Sequence, residues 1–303
     1  GNISDCDVYG EWSYDSTAQE LYMFFGSTVP STKIVKASMV DKIFDCAGNY
    51  NISVENLELI GANKAAIYGK NGAANGSLTF RNLTITGSGY AGIIFSNQQN
   101  VTIEDCTTAN VYSKSFRINS AAVRDGASIQ RNTIVDNGPH ETMCYGGDFS
   151  EDGSAIVCGA NNATINHNSL NRVAYHGIWF TGSNMVIDTN LIRRFGVWTN
   201  DCGGLYTFAL NAYGSITTYT NRVARNNFID SGQAWVYGYR NPVAAEARAI
   251  YNDARAHNIL YQNNLINECD MAAANNSPIG ITHRGNTYIA HRGINFRRLK
   301  IGN

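Results

Sequence analysis

Acidic, histidine and arginine residues stand at matching distances before four short apolar phrases in the second half of the chain. The phrases SAIVCG, HGIWFT, GGLYTF and RAIYND align on the aliphatic residues Ile156, Ile178, Leu205 and Ile250. Four positions before these residues are Asp152, Ala174, Asp201 and Glu246. Two positions before them are Ser154, His176, Gly203 and Arg248. Carboxylates and imidazoles are the usual groups of general acid–base catalysis, so the alignment predicts an active site here.

The spacing of the acids points to a particular reaction. If the phrases are strands in register on successive coils, Asp201 and Glu246 lie roughly 5 Å apart along the stacking direction, and Asp152 and Asp201 roughly 10 Å. Glycoside hydrolases use a close carboxyl pair as nucleophile and acid/base, or a wider pair that admits water. Neighbouring carboxylates raise each other's proton affinity, which keeps one available as an acid. We expect Asp201 and Glu246 to be the catalytic pair, with Asp152 as alternate partner and His176 orienting or binding the substrate.

Each of these residues also has a structural interpretation. An acid beside glycine commonly hydrogen-bonds a turn backbone, which would explain Asp201 and also Asp253. Glu246 could lie on a solvated turn, and His176 could be a packed side chain. Arg248 could bind a substrate carboxylate or sulfate through its planar fork, or pair with Asp201 or Glu246.

Aromatic residues give a second set of candidate substrate contacts. In three of the phrases, the residue directly after the aligned aliphatic residue is aromatic: Trp179, Tyr206 and Tyr251. Two further aromatic residues, Trp198 and Trp235, fall in inserted segments. Flat aromatic surfaces with polar neighbours suit the apolar faces of sugars. With Arg248 and Asp253, these residues are the predicted substrate-binding set. The alternative is a column of ordinary core residues.

The elements that must position these residues are short repeated strands. Phrases such as LTFRNLTIT, ATINHNSLN and ILYQNNLIN alternate aliphatic and polar residues around an Asn or Asp, which we align at positions 56, 82, 105, 132, 168, 190, 227 and 264. The smallest gap is 22 residues, and gaps of 36, 37 and 37 indicate loop insertions. A unit this short buries its apolar face only against its neighbours, and stacked Asn amides can hydrogen-bond between coils. The pattern therefore predicts an all-β solenoid with coils of about 22 residues.

Composition excludes several other classes of protein. With 23 basic and 24 acidic residues among 303, the net charge of -1 gives no nucleic-acid footprint. No apolar run is long enough to span a membrane. We expect most of the seven cysteines to be buried thiols. Cys144 and Cys158 flank a loop and could instead form a disulfide. No cofactor is expected. The many acids would suit Ca²⁺, although no loop of the EF-hand type provides a ligand set.

The order of three phrases resembles a known family. YHGIWFTGSN followed by NDCGGLYTF and then AIYND is similar to the right-handed parallel β-helix of the pectin-lyase-like superfold, in particular its secreted bacterial carbohydrate-active members, over about residues 31–290. The lead-in EWSYDSTAQELYMFF is similar to a hairpin that precedes the coils in that group. We therefore expect a lead-in at 1–30, which could end a missing upstream domain, and a β-helix at 31–303. The start at Gly1 suggests a processed chain.

The resemblance implies a secreted or cell-surface protein that acts on a polysaccharide or oligosaccharide, and it leaves the reaction open between two enzyme classes. A polysaccharide lyase, the runner-up, would use His176, Tyr206 and Arg248 against a uronate. A non-catalytic glycan-binding or adhesive module, such as a tail-spike or surface-fibre segment, is the rival from another class. It predicts scattered acids with no groove joining them.

Overall fold

The computed structural model describes residues 3–70, 76–119, 125–139, 151–209, 217–232 and 246–289. Its contacts divide the chain into two units, Gly1–Ser38 and Met39–Asn303. No helix in the described ranges is long and apolar enough to cross a membrane.

The first unit contains an antiparallel hairpin of strands β1 (Trp12–Asp15) and β2 (Glu20–Met23), and 3-10 turns at Ile3–Asp5 and Pro30–Thr32. The Oδ1 atom of Asp15 accepts hydrogen bonds from the backbone N–H groups of Thr17 and Ala18, at 2.8 and 3.0 Å. The side chain therefore closes the hairpin by satisfying backbone donors of its turn.

The second unit is a parallel β-helix, as the repeat predicts. Three sheets of nine strands each run along it, and every strand pairs in parallel with its equivalent in the neighbouring coil. Sheet 1 consists of β4 (Ile52–Glu55), β7 (Leu78–Arg81), β10 (Val101–Glu104), β13 (Asp125–Gln130), β16 (Asn161–Asn166), β19 (Met185–Asp188), β22 (Arg222–Arg225), β25 (His257–Gln262) and β28 (Ile279–Arg284).

Sheet 2 consists of β5 (Glu58–Ile60), β8 (Thr84–Thr86), β11 (Thr107–Ala109), β14 (Thr133–Asn137), β17 (Ser169–Val173), β20 (Leu191–Phe195), β23 (Phe228–Asp230), β26 (Leu265–Asn267) and β29 (Thr287–Ile289). Sheet 3 consists of β3 (Lys42–Asp45), β6 (Ala65–Lys70), β9 (Ala91–Ser96), β12 (Lys114–Asn119), β15 (Ile156–Cys158), β18 (Ile178–Phe180), β21 (Cys202–Thr207), β24 (Ala247–Asn252) and β27 (Met271–Asn275).

A ladder of buried asparagines joins the coils at the turn between sheets 1 and 2. The side-chain N–H₂ group of each rung donates to a strand carbonyl at 2.9 to 3.1 Å and, in every rung but the last, also to the Oδ1 atom of the next rung at 2.9 Å. The rungs are Asn132, Asn168, Asn190, Asn227, Asn264 and Asn286. Because each amide meets partners on both sides, it can be buried without loss of hydrogen bonds.

The sequence alignment of this turn was wrong by one residue in the first three coils. Strand pairing puts Leu57, Leu83 and Cys106 at the ladder position, whereas Asn56, Asn82 and Asp105 precede it and have φ angles of 58°, 51° and 56°. Asn and Asp tolerate this left-handed conformation better than other residues with a side chain. The same residue types thus serve two adjacent positions of one turn, which the sequence alone did not separate.

The apolar core fills the space between the three sheets. It includes Ile156, Ile178, Leu205 and Ile250, which are each 0% exposed. The described cysteines are all free, and five of the six are buried. Burial raises the pKa of the Cys106 and Cys158 thiols to about 11. Cys158 is therefore a core residue, as most cysteines were predicted to be, and Cys144 lies outside the described residues.

Candidate active site on the outer face of sheet 3

The predicted alignment of the apolar phrases is confirmed by strand pairing in sheet 3. Ile156 is the Cα partner of Ile178, Ile178 of Leu205, and Leu205 of Ile250. Trp179, Tyr206 and Tyr251 are likewise partners on three successive coils. The coils that carry Asp201 and Glu246 are adjacent, and the amide of Cys202 donates to the carbonyl of Glu246 at 3.2 Å.

A local bend places two sets of side chains on the same outer face. A Cβ atom at Gly204 would meet the core side chains of Ile229 and Phe195, and the next residue, Leu205, is also in the core. Two consecutive residues thus face inward, in contrast to the alternation of a regular strand. As a consequence, two sets of residues point to the same outer face. They are the residues two positions before, and those one position after, the aligned aliphatic residues Ile156, Ile178, Leu205 and Ile250.

Arg248 lies between the two acids of the predicted catalytic pair. Its Nη1 atom is 2.5 Å from Oδ1 of Asp201, and its Nη2 atom forms an ion pair with Oε2 of Glu246. The guanidinium also lies over the ring of Tyr251, 4.1 Å from the centroid. The alternative in which Arg248 pairs with these acids is therefore correct, and it holds for both of them. Because one planar fork contacts both carboxylates, they face a common space.

Asp201 is a turn residue whose carboxylate also pairs with Arg248. Its φ angle of 57° is the left-handed conformation of a turn residue. Its side chain nevertheless contacts Arg248 and remains 55% exposed, compared with 27% for Glu246 and 9% for Arg248. The predicted turn role of Asp201 is therefore present, and its catalytic role stays a prediction.

His176 is a buried, uncharged side chain next to the ion pairs of Arg248. Its ring stacks on Tyr206 with centroids 3.9 Å apart, contacts the ring of Tyr175 at 3.8 Å, and meets Trp179 edge-on at 5.2 Å. Burial, and then the positive charge of Arg248, hold the pKa of His176 well below its usual range. Sequence reasoning did not identify Tyr175, whose only signal is its place next to His176.

Two buried nitrogen atoms of the cluster have no hydrogen-bond partner among the residues that the structure describes. Nδ1 of His176 accepts the backbone N–H of Gly203 at 2.9 Å, so the proton of the neutral ring is on Nε2. Among the described residues, neither this Nε2 atom nor Nε of Arg248 has a hydrogen-bond partner. Buried donors are normally satisfied, so both nitrogens mark a place where a ligand or water would gain hydrogen bonds.

The tyrosines of the outer face are linked to acids. The Tyr206 hydroxyl donates to Oδ2 of Asp253 at 3.1 Å, and the Tyr251 hydroxyl hydrogen-bonds with Asp201. Burial first, and the neighbouring carboxylates in addition, raise the pKa of both hydroxyls. Oδ1 of Asp253 accepts the amide of Ala254 at 2.8 Å, so its predicted turn role is also present.

The aromatic column is mostly enclosed. Trp179, Tyr206 and Tyr251 are 6%, 9% and 7% exposed and pack with Val157 and Ala274 in a cluster separate from the main core. Trp198 donates its indole N–H to the carbonyl of Gly138 at 2.9 Å, which pins its segment. Trp235 lies outside the described residues. A substrate-binding role for these residues stays a prediction.

Asp152 lies in a second ion-pair group on the same sheet, two coils before Asp201. It accepts a hydrogen bond from Ser113 at 2.9 Å and pairs with Lys114, whose side chain is 1% exposed. Glu151 pairs with Arg117 on the same coil as Lys114. Sequence reasoning missed Lys114, although strand pairing places it at the position that His176 and Arg248 occupy in later coils.

No metal centre is evident in the described ranges. Within them, no three His, Cys, Asp or Glu side chains are grouped closely enough to hold an ion. Asp201 and Glu246 are instead both paired with the guanidinium of Arg248.

Comparisons with known proteins concern the fold. One solved structure, named "Glycoside hydrolase", superposes on this chain with a TM-score of 0.54 at 16% identity. The match covers 75% of this chain and 38% of that one, so the chain spans well under half the length of its structural neighbour. No curated protein sequence matches. The sequence matches the family described as "Right handed beta helix region" over residues 65–296, more than half of the chain. With its three parallel sheets, the chain belongs to the right-handed β-helix family.

Proposed function

We propose that the protein is a carbohydrate-active enzyme, and specifically a glycoside hydrolase that uses Asp201 and Glu246. The observation that carries the proposal is that both carboxylates form ion pairs with the guanidinium of Arg248. The structural neighbour named as a glycoside hydrolase supports the same class of activity. The substrate would be a polysaccharide or oligosaccharide.

The shared ion pairs with Arg248 support a role for these two carboxyl groups in glycoside hydrolysis. Two carboxyls must flank the scissile bond, one to protonate the leaving oxygen and the other to act as nucleophile or to activate water. Asp201 and Glu246 contact neighbouring nitrogens of one guanidinium, which limits their separation to the span of that group and its two contacts. Both carboxylates retain exposed surface, so a substrate could reach them.

His176 and Arg248 would position the substrate. Each is held rigidly by stacking on Tyr206 or Tyr251, so neither side chain needs further ordering when a substrate binds. Asp152 remains the alternate acid, although it is engaged by Lys114.

The same contacts argue against β-elimination by a lyase. A lyase needs a free cation for the uronate carboxylate and a base for the adjacent proton. Arg248 is already shared by two carboxylates, and Nδ1 of His176 already accepts a hydrogen bond. Burial raises the pKa of Tyr206, which disfavours the phenolate that a tyrosine base would require.

The test is a panel of neutral, uronate-containing and sulfated glycans, incubated with wild type and with Asp201→Asn. Asn tolerates the same left-handed backbone, so the variant should keep its fold. We expect new reducing ends without absorbance near 235 nm, lost by at least about 100-fold in the variant. Absorbance that rises with cleavage would identify a lyase. Binding without cleavage in both proteins would favour the adhesive module.

Location and context follow from the proposed activity. We propose that the protein is secreted or displayed on a cell surface, where a polymeric glycan is accessible, and that it has flanking domains. Detection in culture medium or on intact cells with an antibody to the β-helix would test the location.

A further inference from the structure

We propose that Asp201 and Glu246 also make the site select uncharged sugars over uronates, because they occupy the guanidinium that would otherwise bind a substrate carboxylate. This inference rests on the proposed function and concerns the substrate class of the same site. Its physical basis is the balance of charge around Arg248.

Among the described residues, carboxylates outnumber cations at the site. In the described part of the chain, the hydroxyl of Tyr251 is within electrostatic reach of Arg248, Asp201 and Asp253, and Glu246 is ion-paired with the same Arg248. His176 adds no positive charge, because burial keeps its pKa well below the usual range. The nearby pairs Asp152–Lys114 and Glu151–Arg117 are each neutral. The guanidinium of Arg248 is thus shared by two carboxylates, and a third carboxylate, that of Asp253, accepts a hydrogen bond from Tyr206 in the same aromatic column.

A uronate that entered this space would meet carboxylates before it met a free cation. Placing like charges side by side is unfavourable when water is excluded. To bind the guanidinium, the incoming carboxylate would have to displace Asp201 or Glu246, which would then be left beside it. Such repulsive elements are how binding sites reject a charged competitor.

An uncharged sugar meets no such penalty. Its hydroxyl groups can donate to the exposed oxygens of Asp201 and Glu246, whose side chains are 55% and 27% exposed. The site therefore offers acceptors to hydroxyls while it repels anions.

The experiment compares matched oligosaccharides that differ only at C6, with CH₂OH in one member and carboxylate in the other. Cello-, manno- and galacto-oligosaccharides and their C6-oxidised forms are the probes, and calorimetry measures binding. We expect wild type to bind the uncharged member of at least one pair about tenfold or more tightly than the oxidised member. The double variant Asp201→Asn, Glu246→Gln should lose or reverse that preference.

A third variant tests the role of the guanidinium. Adding Arg248→Met to the double variant should remove any gained affinity for the oxidised member. Thermal unfolding checks the fold of each protein, and the single variants, which should show intermediate preferences, replace the double variant if it does not fold.

The outcomes separate this inference from the proposed function. Equal or tighter binding of the oxidised member by wild type would overturn the inference alone, as would an unchanged preference in the double variant. If wild type neither binds nor cleaves any glycan, the proposed function fails and the inference fails with it.

Discussion

Nδ1 of His176 lies 2.9 Å from the backbone nitrogen of Gly203, on the next coil of the β-helix. The bond connects a ring that stacks on Tyr206 to the coil that carries Asp201, and so couples the aromatic column to the acidic cluster. Because the N–H of Gly203 donates, the bond fixes the neutral tautomer of the imidazole.

A buried neutral histidine makes stability depend on pH. The pKa of His176 is lowered by burial and by Arg248, and burial also lowers the pKa of His257 and His283. The unfolded chain then binds protons that the folded chain does not, so stability is complete above the unfolded pKa of about 6.5 and falls below it. Urea unfolding should show a lower free energy at pH 5.5 than at pH 7.5, and His176→Gln should reduce this difference by about 1 kcal/mol. Equal pH dependence in both proteins would contradict the assignment.

Arg248 should matter more to stability than arginines in exposed pairs. Arg248→Met leaves Asp201 and Glu246 facing each other without a counter-charge, and we expect a loss of about 1–3 kcal/mol in the free energy of unfolding. The matched control is Arg172→Met, because Arg172 pairs with Asp136 and the two side chains are 50% and 29% exposed. That variant should lose less than about 1 kcal/mol. Urea unfolding measures both variants. Similar losses of unfolding free energy at the two positions would show that the ion pairs of Arg248 do not stabilise the fold.

The interior of the asparagine ladder should be intolerant of apolar replacement. Asn190→Leu removes the bonds of its amide to Ile165 and Asn227 and leaves Asn168 without its acceptor. We expect a loss of about 3 kcal/mol, since buried donors and acceptors are left unpaired. Asn286→Leu, at the last rung and only partly buried, should cost markedly less. Thermal unfolding of the two variants checks the order, and the reverse order would be inconsistent with the ladder.

Gly203 should not accept a side chain. A Cβ atom there would lie 2.9 Å from the backbone oxygen of Leu205, 3.0 Å from Cβ of Tyr251 and 3.3 Å from Cβ of Tyr206, so the strand and the aromatic column would both have to shift. Gly203→Ala should therefore lower the melting temperature by several degrees, as about 1–3 kcal/mol of overpacking predicts. At Gly159 the nearest atom, 3.1 Å away, belongs to the side chain of Asn119, which can move. Gly159→Ala is the control, and an equal effect there would argue against a tight column at Gly203.

The sequence by itself determined the repeat and most of the register. Strand alternation and the Asn phrases require stacking, because each coil of about 22 residues can bury its apolar side only against a neighbour. The alignment on Ile156, Ile178, Leu205 and Ile250 therefore matched the strand pairing and put Asp201 and Glu246 on adjacent coils. The sequence could not separate the two Asn positions of the first turn, since both the left-handed site and the ladder favour the same residue type.

Only the tertiary structure decided what the site residues contact. In sheet 3, a bend turns two consecutive residues of a strand inward. Three features depend on it: the ion pairs of Arg248 with the two acids, the burial of Tyr206 and Tyr251, and the neutral state of His176. That bend reverses which side chains share the outer face, and a period of two residues cannot encode it. Lys114 was missed for a related reason: its pairing with Asp152 is set by stacking across coils, between residues 38 positions apart in the sequence.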